Sequence, residues 1–522
     1  MKKFLALCFL AVLFGCGGGG SPTQSPTQGP LQSGQVAVSF WATDFTATAT
    51  SDSYYQTTAT KVAEGVHCYV YLEQGQTVSQ TALDTIVNQF DTNIYPRGTT
   101  AFGSEPNPGI DGDPKIYILL LNVRDGFSFR TNPTFVAGYF DPNSEYAPNQ
   151  FAFSNQKEIL YMNINHATGA VPGDTEFNST IAHEFQHIIH WEQKAHQRNL
   201  NDDTWLAEAM AMVAQTYCTY GPNYDAVFDY ETDVHANVHH SLTSFDESVG
   251  NYGMVYLWAQ YMKDQFDTPA IQSTGHTIFW EMLHNASTGI NEVNAALAAI
   301  NSTRNFKTVF QDWAVANYFG NGNTKTIPPG NPAAWSYTSI DTWGTHTFDT
   351  NISVTLPGLF SQNAPTLTPL DAWSLGYYSF TPVTTGTVTW KQNTATSTAS
   401  FIDGNPANPS VIFSMVSNTA YPFANSGYLI NQNPSSTSYT SPNPQVADTV
   451  VHTAIGSVAA TTTAIQTKNR PRSAAEYLAA ANANPMLRNR AQKSGRPRPL
   501  SVDSYLRERE NALRAQGIRP PF

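Results

Sequence analysis

The chain has 522 residues, of which 41% are apolar and 13% charged. That length exceeds one ordinary core, so two or more domains are expected, and the apolar share excludes a chain kept unfolded by charge. The net charge of −13 is uneven: residues 468–522 carry 12 Lys/Arg against 4 Asp/Glu, and the rest 15 against 36. No nucleic acid is therefore expected on the main body, which would repel phosphate, and only the tail could bind a polyanion.

Residues 1–15 read as a signal peptide: Lys2 and Lys3 precede an apolar run from Phe4 to Phe14, too short to span a bilayer. The run ends Leu13-Phe14-Gly15-Cys16, which resembles a bacterial lipobox. In that reading Cys16 carries lipid and anchors the exported chain to a membrane or cell surface. Residues 16–35, rich in Gly, Ser, Pro and Thr, then form a flexible tether. Cys68 and Cys218 could pair in an oxidising compartment or stay separate buried thiols, and both readings remain open.

Residues 36–326 form the next unit. Strands are expected at Val66–Glu73, Lys115–Asn122 and Glu158–Ile164, and a helix over Val78–Phe90, where Leu83, Ile86, Val87 and Phe90 share a face. From about residue 175 the pattern turns helical: Glu176–Lys194, Thr204–Tyr217, Tyr252–Phe266 and Asn305–Tyr318. Strands followed by helices suggest α+β. Ile327–Pro332 is a boundary by its Pro and Gly content. Residues 333–466 hold few charges and short strand-like runs (Ile352–Leu356, Leu375–Phe380, Gly386–Lys391, Val411–Val416), the pattern of an all-β sandwich accessory domain. Residues 467–522 read as a basic, largely disordered tail.

The chemistry is concentrated in Ile181-Ala182-His183-Glu184-Phe185-Gln186-His187. On a helix His183 and His187 sit one turn apart on one face, where both imidazoles can hold one metal ion. Glu184 lies beside them, where a carboxylate can act as general base toward an activated water. Zinc needs a third protein ligand and an open position. Glu208 in Trp205-Leu206-Ala207-Glu208-Ala209, on the next helix, can supply the ligand. Glu192, Asp202 and Asp203 are rivals: Glu192 shares the first helix, and the two Asp suit a helix cap. His190, one turn beyond His187, reads as a supporting or surface residue. An oxyanion would need a second stabiliser, for which Tyr252, His235, His239 and His240 are candidates and Tyr252 is preferred.

This arrangement resembles the gluzincins, the thermolysin-like metallopeptidases, and most of all the hyicolysin family of bacterial neutral metalloproteases. The likeness runs through Asp111-Gly112-Asp113-Pro114-Lys115-Ile116, Ala137–Asp141, the His-Glu-Phe-Gln-His run, the Trp-Leu-x-Glu-Ala helix and Asn251-Tyr252-Gly253. It implies a zincin-like fold, zinc on His183, His187 and Glu208, Glu184 as general base, and protein or peptide substrates. A metzincin would need Gly at 190 and His at 193, where this chain has His190 and Gln193. Met212 stands where thermolysin-like proteins place an Asp that orients a ligating His. The alternative function is a non-catalytic surface adhesin or binding protein on such a scaffold. A structural Ca2+ site is one reading of Asp111, Asp113, Asp141, Asn143 and Glu145; ordinary turn sequence is the preferred one.

Overall fold

The computed structural model describes residues 36–435 apart from 48–52, 129–133, 166–170, 237, 247, 268–274, 350–351, 357, 363–369, 381–384, 393–395, 406–408 and 425, together with 449–454 and 498–499. The signal, lipid-anchor and tether expectations and nearly all of the basic tail lie outside the described residues.

Strands β1 (Ala37–Thr43), β2 (Tyr54–Glu64), β3 (Cys68–Glu73) and β4 (Ile116–Leu121) come first. A short β5 (Thr134–Phe135), β6 (Gly138–Phe140) and β7 (Ile159–Asn163) follow. They form one six-stranded mixed sheet, with β5 outside it, in the order β1-β2-β3-β4-β7-β6. β3, β4 and β7 are parallel neighbours, and the other pairs are antiparallel. β4 and β7 are apolar at nearly every position because both their faces are covered. Ile116, Ile118, Leu120, Leu160 and Met162 pack among the helices. Tyr117, Leu119, Leu121, Ile159 and Tyr161 fill a second cluster on the opposite face.

The expected strand from Val66 starts only at Cys68. Gly65 N bonds back to Cys68 O, and Asp91 accepts from Val66 N and His67 N, so Val66 is held in a turn and is 71% exposed. Cys68 and Cys218 are separate buried thiols, each pushed up to about 12 by burial, so the paired reading is not what the fold adopts.

Helices α1 (Gln80–Gln89) and α2 (Tyr95–Phe102) join through a π-helical turn at Phe90–Ile94. The helical half comprises α3 (Thr175–His190), α4 (Thr204–Tyr217), α5 (Tyr224–His235), α6 (Val249–Phe266), α7 (Ile278–Leu283), α8 (Gly289–Ala299) and α9 (Phe306–Phe319). The helix expected over Glu176–Lys194 ends at His190 and widens into a π-helical turn, Trp191–His196, that carries buried Gln193 and Lys194. α6 begins three residues before expectation because Ser248 caps it, accepting from Asn251 N at 3.2 Å. α6 is buried nearly all round, as a central helix should be. Gly253 allows this: a Cβ there would stand 2.0 Å from Ala226 O on α5.

Beyond Pro332 the chain stays on the helices. Trp313 Nε1 donates to Tyr337 Oη at 2.8 Å, and Tyr261 Oη to Ala334 O at 2.6 Å. A five-stranded sheet follows, containing Leu375–Phe380, Gly427–Gln432 and Thr398–Asp403. A separate three-stranded sheet is built on Thr385–Lys391. Phe380, Val388, Trp390, Phe401, Phe423 and Leu429 form one apolar layer with members from both sheets. Tyr377, Ile402 and Ile430 point the other way, into the helical cluster. The run expected over Val411–Val416 is a strand only at Ser410–Ile412, after which Ser400 Oγ and Tyr421 Oη hold the chain.

Candidate metal centre

α3 is capped by Asp174, whose carboxylate accepts from Phe177 N at 2.8 Å. Phe177, Ile181, Phe185 and Ile188 bury one stripe of the helix, which fixes its rotation. His183 and His187 then face α4. Their Nε2 atoms lie 3.2 Å apart. Glu208 Oε2 stands 3.4 Å from His183 Nε2 and 4.0 Å from His187 Nε2. Three donors bonded to one zinc at about 2.0–2.1 Å in a tetrahedron would be about 3.3–3.4 Å apart. The observed spacing is close to that.

The chemistry of the donor set fits a cation as well. Every residue of α4 from Trp205 to Ala214 is buried, and Glu208 is the only carboxylate among them. Its side chain is 2% exposed and its Oε2 accepts no hydrogen bond. A buried carboxylate without a counter-charge is costly, and a metal ion at this point removes the cost. His183 keeps the cluster open to solvent, its side chain 13% exposed. Among the described residues this is the one group of three or more His, Cys, Asp or Glu side chains close enough to share an ion. Glu184, next to His183 on α3, is buried. Met212, one turn past Glu208, packs in the apolar cluster and offers no orienting carboxylate.

Tyr252 stands in the first turn of α6, half-buried, its ring edge-on to Phe245 at 5.0 Å. Asn251 pins that turn, accepting from Asp246 N at 2.7 Å and donating to Ser241 O at 3.2 Å. The histidines weighed beside Tyr252 have other surroundings. His239 is pushed down to about 4 by burial and stays neutral. His240 lies 3.1 Å from Asp233 and 3.0 Å from Asp246. Burial opposes its charge, but the two carboxylates prevail and raise it to about 9. Because the folded value exceeds the unfolded value of 6.5, this stabilisation is complete below pH 6.5 and is lost as pH rises through 9. Denaturant unfolding should thus show stability falling by about 2 kcal/mol over that window, Asp246 being half-exposed, and the slope should vanish in His240→Gln.

The rival acids are occupied elsewhere. Glu192 pairs with His196 Nδ1 at 2.6 Å. Asp203 holds the position before α4 without a side-chain cap bond. Asp202 departs from the cap role: its Oδ1 accepts from Gly289 N and its Oδ2 lies 3.1 Å from His190 Nε2. His190 is buried, in a network the sequence reading missed. Asp202 also meets Glu292, and Glu292 Oε2 lies 2.8 Å from Lys194 Nζ, both side chains at most 1% exposed. Burial and the neighbouring Asp202 push Glu292 well above the carboxylate range. Burial opposes ionisation of Asp202, but hydrogen bonds, His190's first, hold it well below that range. The pair thus shares one negative charge facing Lys194. Lys194→Met should cost about 3–5 kcal/mol in denaturant unfolding, since it removes the buried ammonium that faces that charge.

The calcium candidates mostly serve turns. Asp111 accepts from Asp113 N and pairs with Lys157; Asp113 accepts from Lys115 N and Tyr69 Oη. Asp141 caps a 3-10 turn over Pro142–Glu145 and binds Asn143. Glu145 has no such role.

No family model matches the chain. The chain is similar to the neutral metalloprotease ShpI of Staphylococcus hyicus, with 30% identity over 208 residues. The match covers 38% of this chain and 44% of that protein, so the chain spans under half the length of the relative. The similarity supports a relationship to a metalloprotease. Among the described residues no helix is long and apolar enough to cross a membrane.

Proposed function

We propose that the chain is a zinc-dependent endopeptidase of the gluzincin type, akin to the hyicolysin family, that hydrolyses peptide bonds of proteins outside the cytoplasm. The observation that carries this reading is the convergence of His183, His187 and Glu208 beside Glu184, in a chain similar to a metalloprotease. In it residues 36–326 are the catalytic, zincin-like unit and residues 333–466 an accessory β-sandwich. Export and a lipid anchor at Cys16 rest on the N-terminal sequence alone.

His183, His187 and Glu208 would hold the metal. Zinc, when bound, supplies a Lewis acid that polarises the scissile carbonyl and acidifies water. Glu184 accepts a proton from the attacking water and delivers it to the leaving amine. Tyr252 donates a hydrogen bond to the oxyanion that develops on the carbonyl. Tyr252→Phe should lower turnover about 10²–10³-fold with metal content unchanged, and unaltered turnover would remove Tyr252 from the mechanism.

The test of the whole reading is cleavage of an unstructured protein such as casein. Hydrolysis that stops with a chelator and returns with zinc supports it. A fully metal-loaded chain that cleaves no protein favours the adhesin on a protease-like scaffold.

A further inference from the structure

We propose that Glu145 and Glu158 form a second metal site, for a hard divalent cation of calcium's class, distinct from the histidine cluster. Glu145 closes the Pro142–Glu145 turn and Glu158 immediately precedes β7; they are 6% and 1% exposed. Their carboxyl groups are electrostatic neighbours, each acting on the other. Glu158 is held rigidly. Its Oε1 accepts from Ile110 N at 2.9 Å, and a Cβ at Gly109 would stand 1.8–1.9 Å from its carboxyl atoms. Only a glycine lets the loop come so close. Glu145 Oε1 and Glu158 Oε2 are buried and accept no hydrogen bond.

The charges around the pair point the same way. The neighbouring acids have partners of their own: Asp111 faces Lys157 at 3.0 Å, and Glu192 faces His196 at 2.6 Å. No basic side chain among the described residues pairs with Glu145 or Glu158. Burial and their mutual repulsion push Glu145 well above the carboxylate range, and burial raises Glu158 too. Such a pair is relieved either by a shared proton or by a cation. Once both are ionised, the two carboxylates match one divalent charge, and they offer up to four of the six to eight oxygens that calcium takes. Zinc prefers nitrogen and sulfur donors, which this place lacks. A bound ion would tie the loop at 109–111, the turn at 142–145 and the start of β7 together, next to Glu192 on the extension of the metal-binding helix.

The test is thermal unfolding of the full chain with zinc held constant, with and without millimolar calcium. It needs no activity, so its failure is separate from failure of the peptidase reading. Calcium should raise the wild-type melting temperature by about 3–5 °C. In Glu145→Gln and Glu158→Gln the rise should vanish, and both variants should melt no lower than wild type in calcium-free buffer. No shift in wild type would mean that the pair shares a proton. An undiminished shift in both variants would mean that calcium binds elsewhere. Either result overturns the proposal. Should the amide variants fail to fold, the wild type should bind terbium, with aromatic-sensitised luminescence displaced by calcium; Glu145→Asp should require more calcium for displacement. No emission, or an unchanged calcium requirement, overturns it.

Discussion

Glu184→Ala should bind as much metal per chain as the wild type, and lose about 10²–10⁴-fold in the rate of peptide hydrolysis. The two halves of this expectation have separate causes. The proposed metal donors are His183, His187 and Glu208, whose convergence does not involve the carboxylate at 184. Rotation of α3 is fixed by Phe177, Ile181, Phe185 and Ile188, none of which the substitution touches. On the proposed mechanism the variant would lose a base to take the water's proton and an acid to protonate the amine. Metal content by elemental analysis and initial rates on casein measure both. Equal rates for the two proteins would remove Glu184 from the chemistry; joint loss of metal and activity would make it a structural residue.

Glu208→Met should change sign with the metal. In metal-free buffer the variant should be more stable than the wild type by about 1–4 kcal/mol, because a well-packed apolar side chain replaces a buried carboxylate whose Oε2 accepts no hydrogen bond. Met is a helix former of similar volume in a helix that is apolar from Trp205 to Ala214. With metal present the order should reverse. At a metal concentration of 100 times its dissociation constant the wild type gains about 2.7 kcal/mol, and a chain that has lost a ligand gains far less. Paired denaturant curves, with and without metal, give both values. A variant less stable than the wild type in both buffers would mean that Glu208 is held by protein contacts alone, not for a metal.

Much of this cluster was legible beforehand because it follows from local rules. The i, i+4 spacing puts His183 and His187 on one face, and a carboxylate in Trp-Leu-Ala-Glu-Ala-Met-Ala is conspicuous among apolar neighbours. Central strands such as β4 were legible from unbroken apolar runs. Helix α5 carries a local signal too, Asn223 capping a stripe of Val227, Tyr230 and Val234. The buried charges were not legible. Asp202 reads locally as a cap, and only the fold brings it to His190, Glu292 and Gly289. Lys194 and Glu292, like Glu145 and Glu158, look like surface residues until tertiary packing closes over them. The pinning of Val66 by Asp91 is likewise a contact across 25 residues.

The most direct test of the metal centre is anomalous scattering at the zinc absorption edge from crystals of the purified protein. The account predicts a peak bounded by His183 Nε2, His187 Nε2 and Glu208, at about 2.0–2.2 Å from each. No peak there from zinc-loaded crystals, or zinc held by other side chains alone, would contradict it.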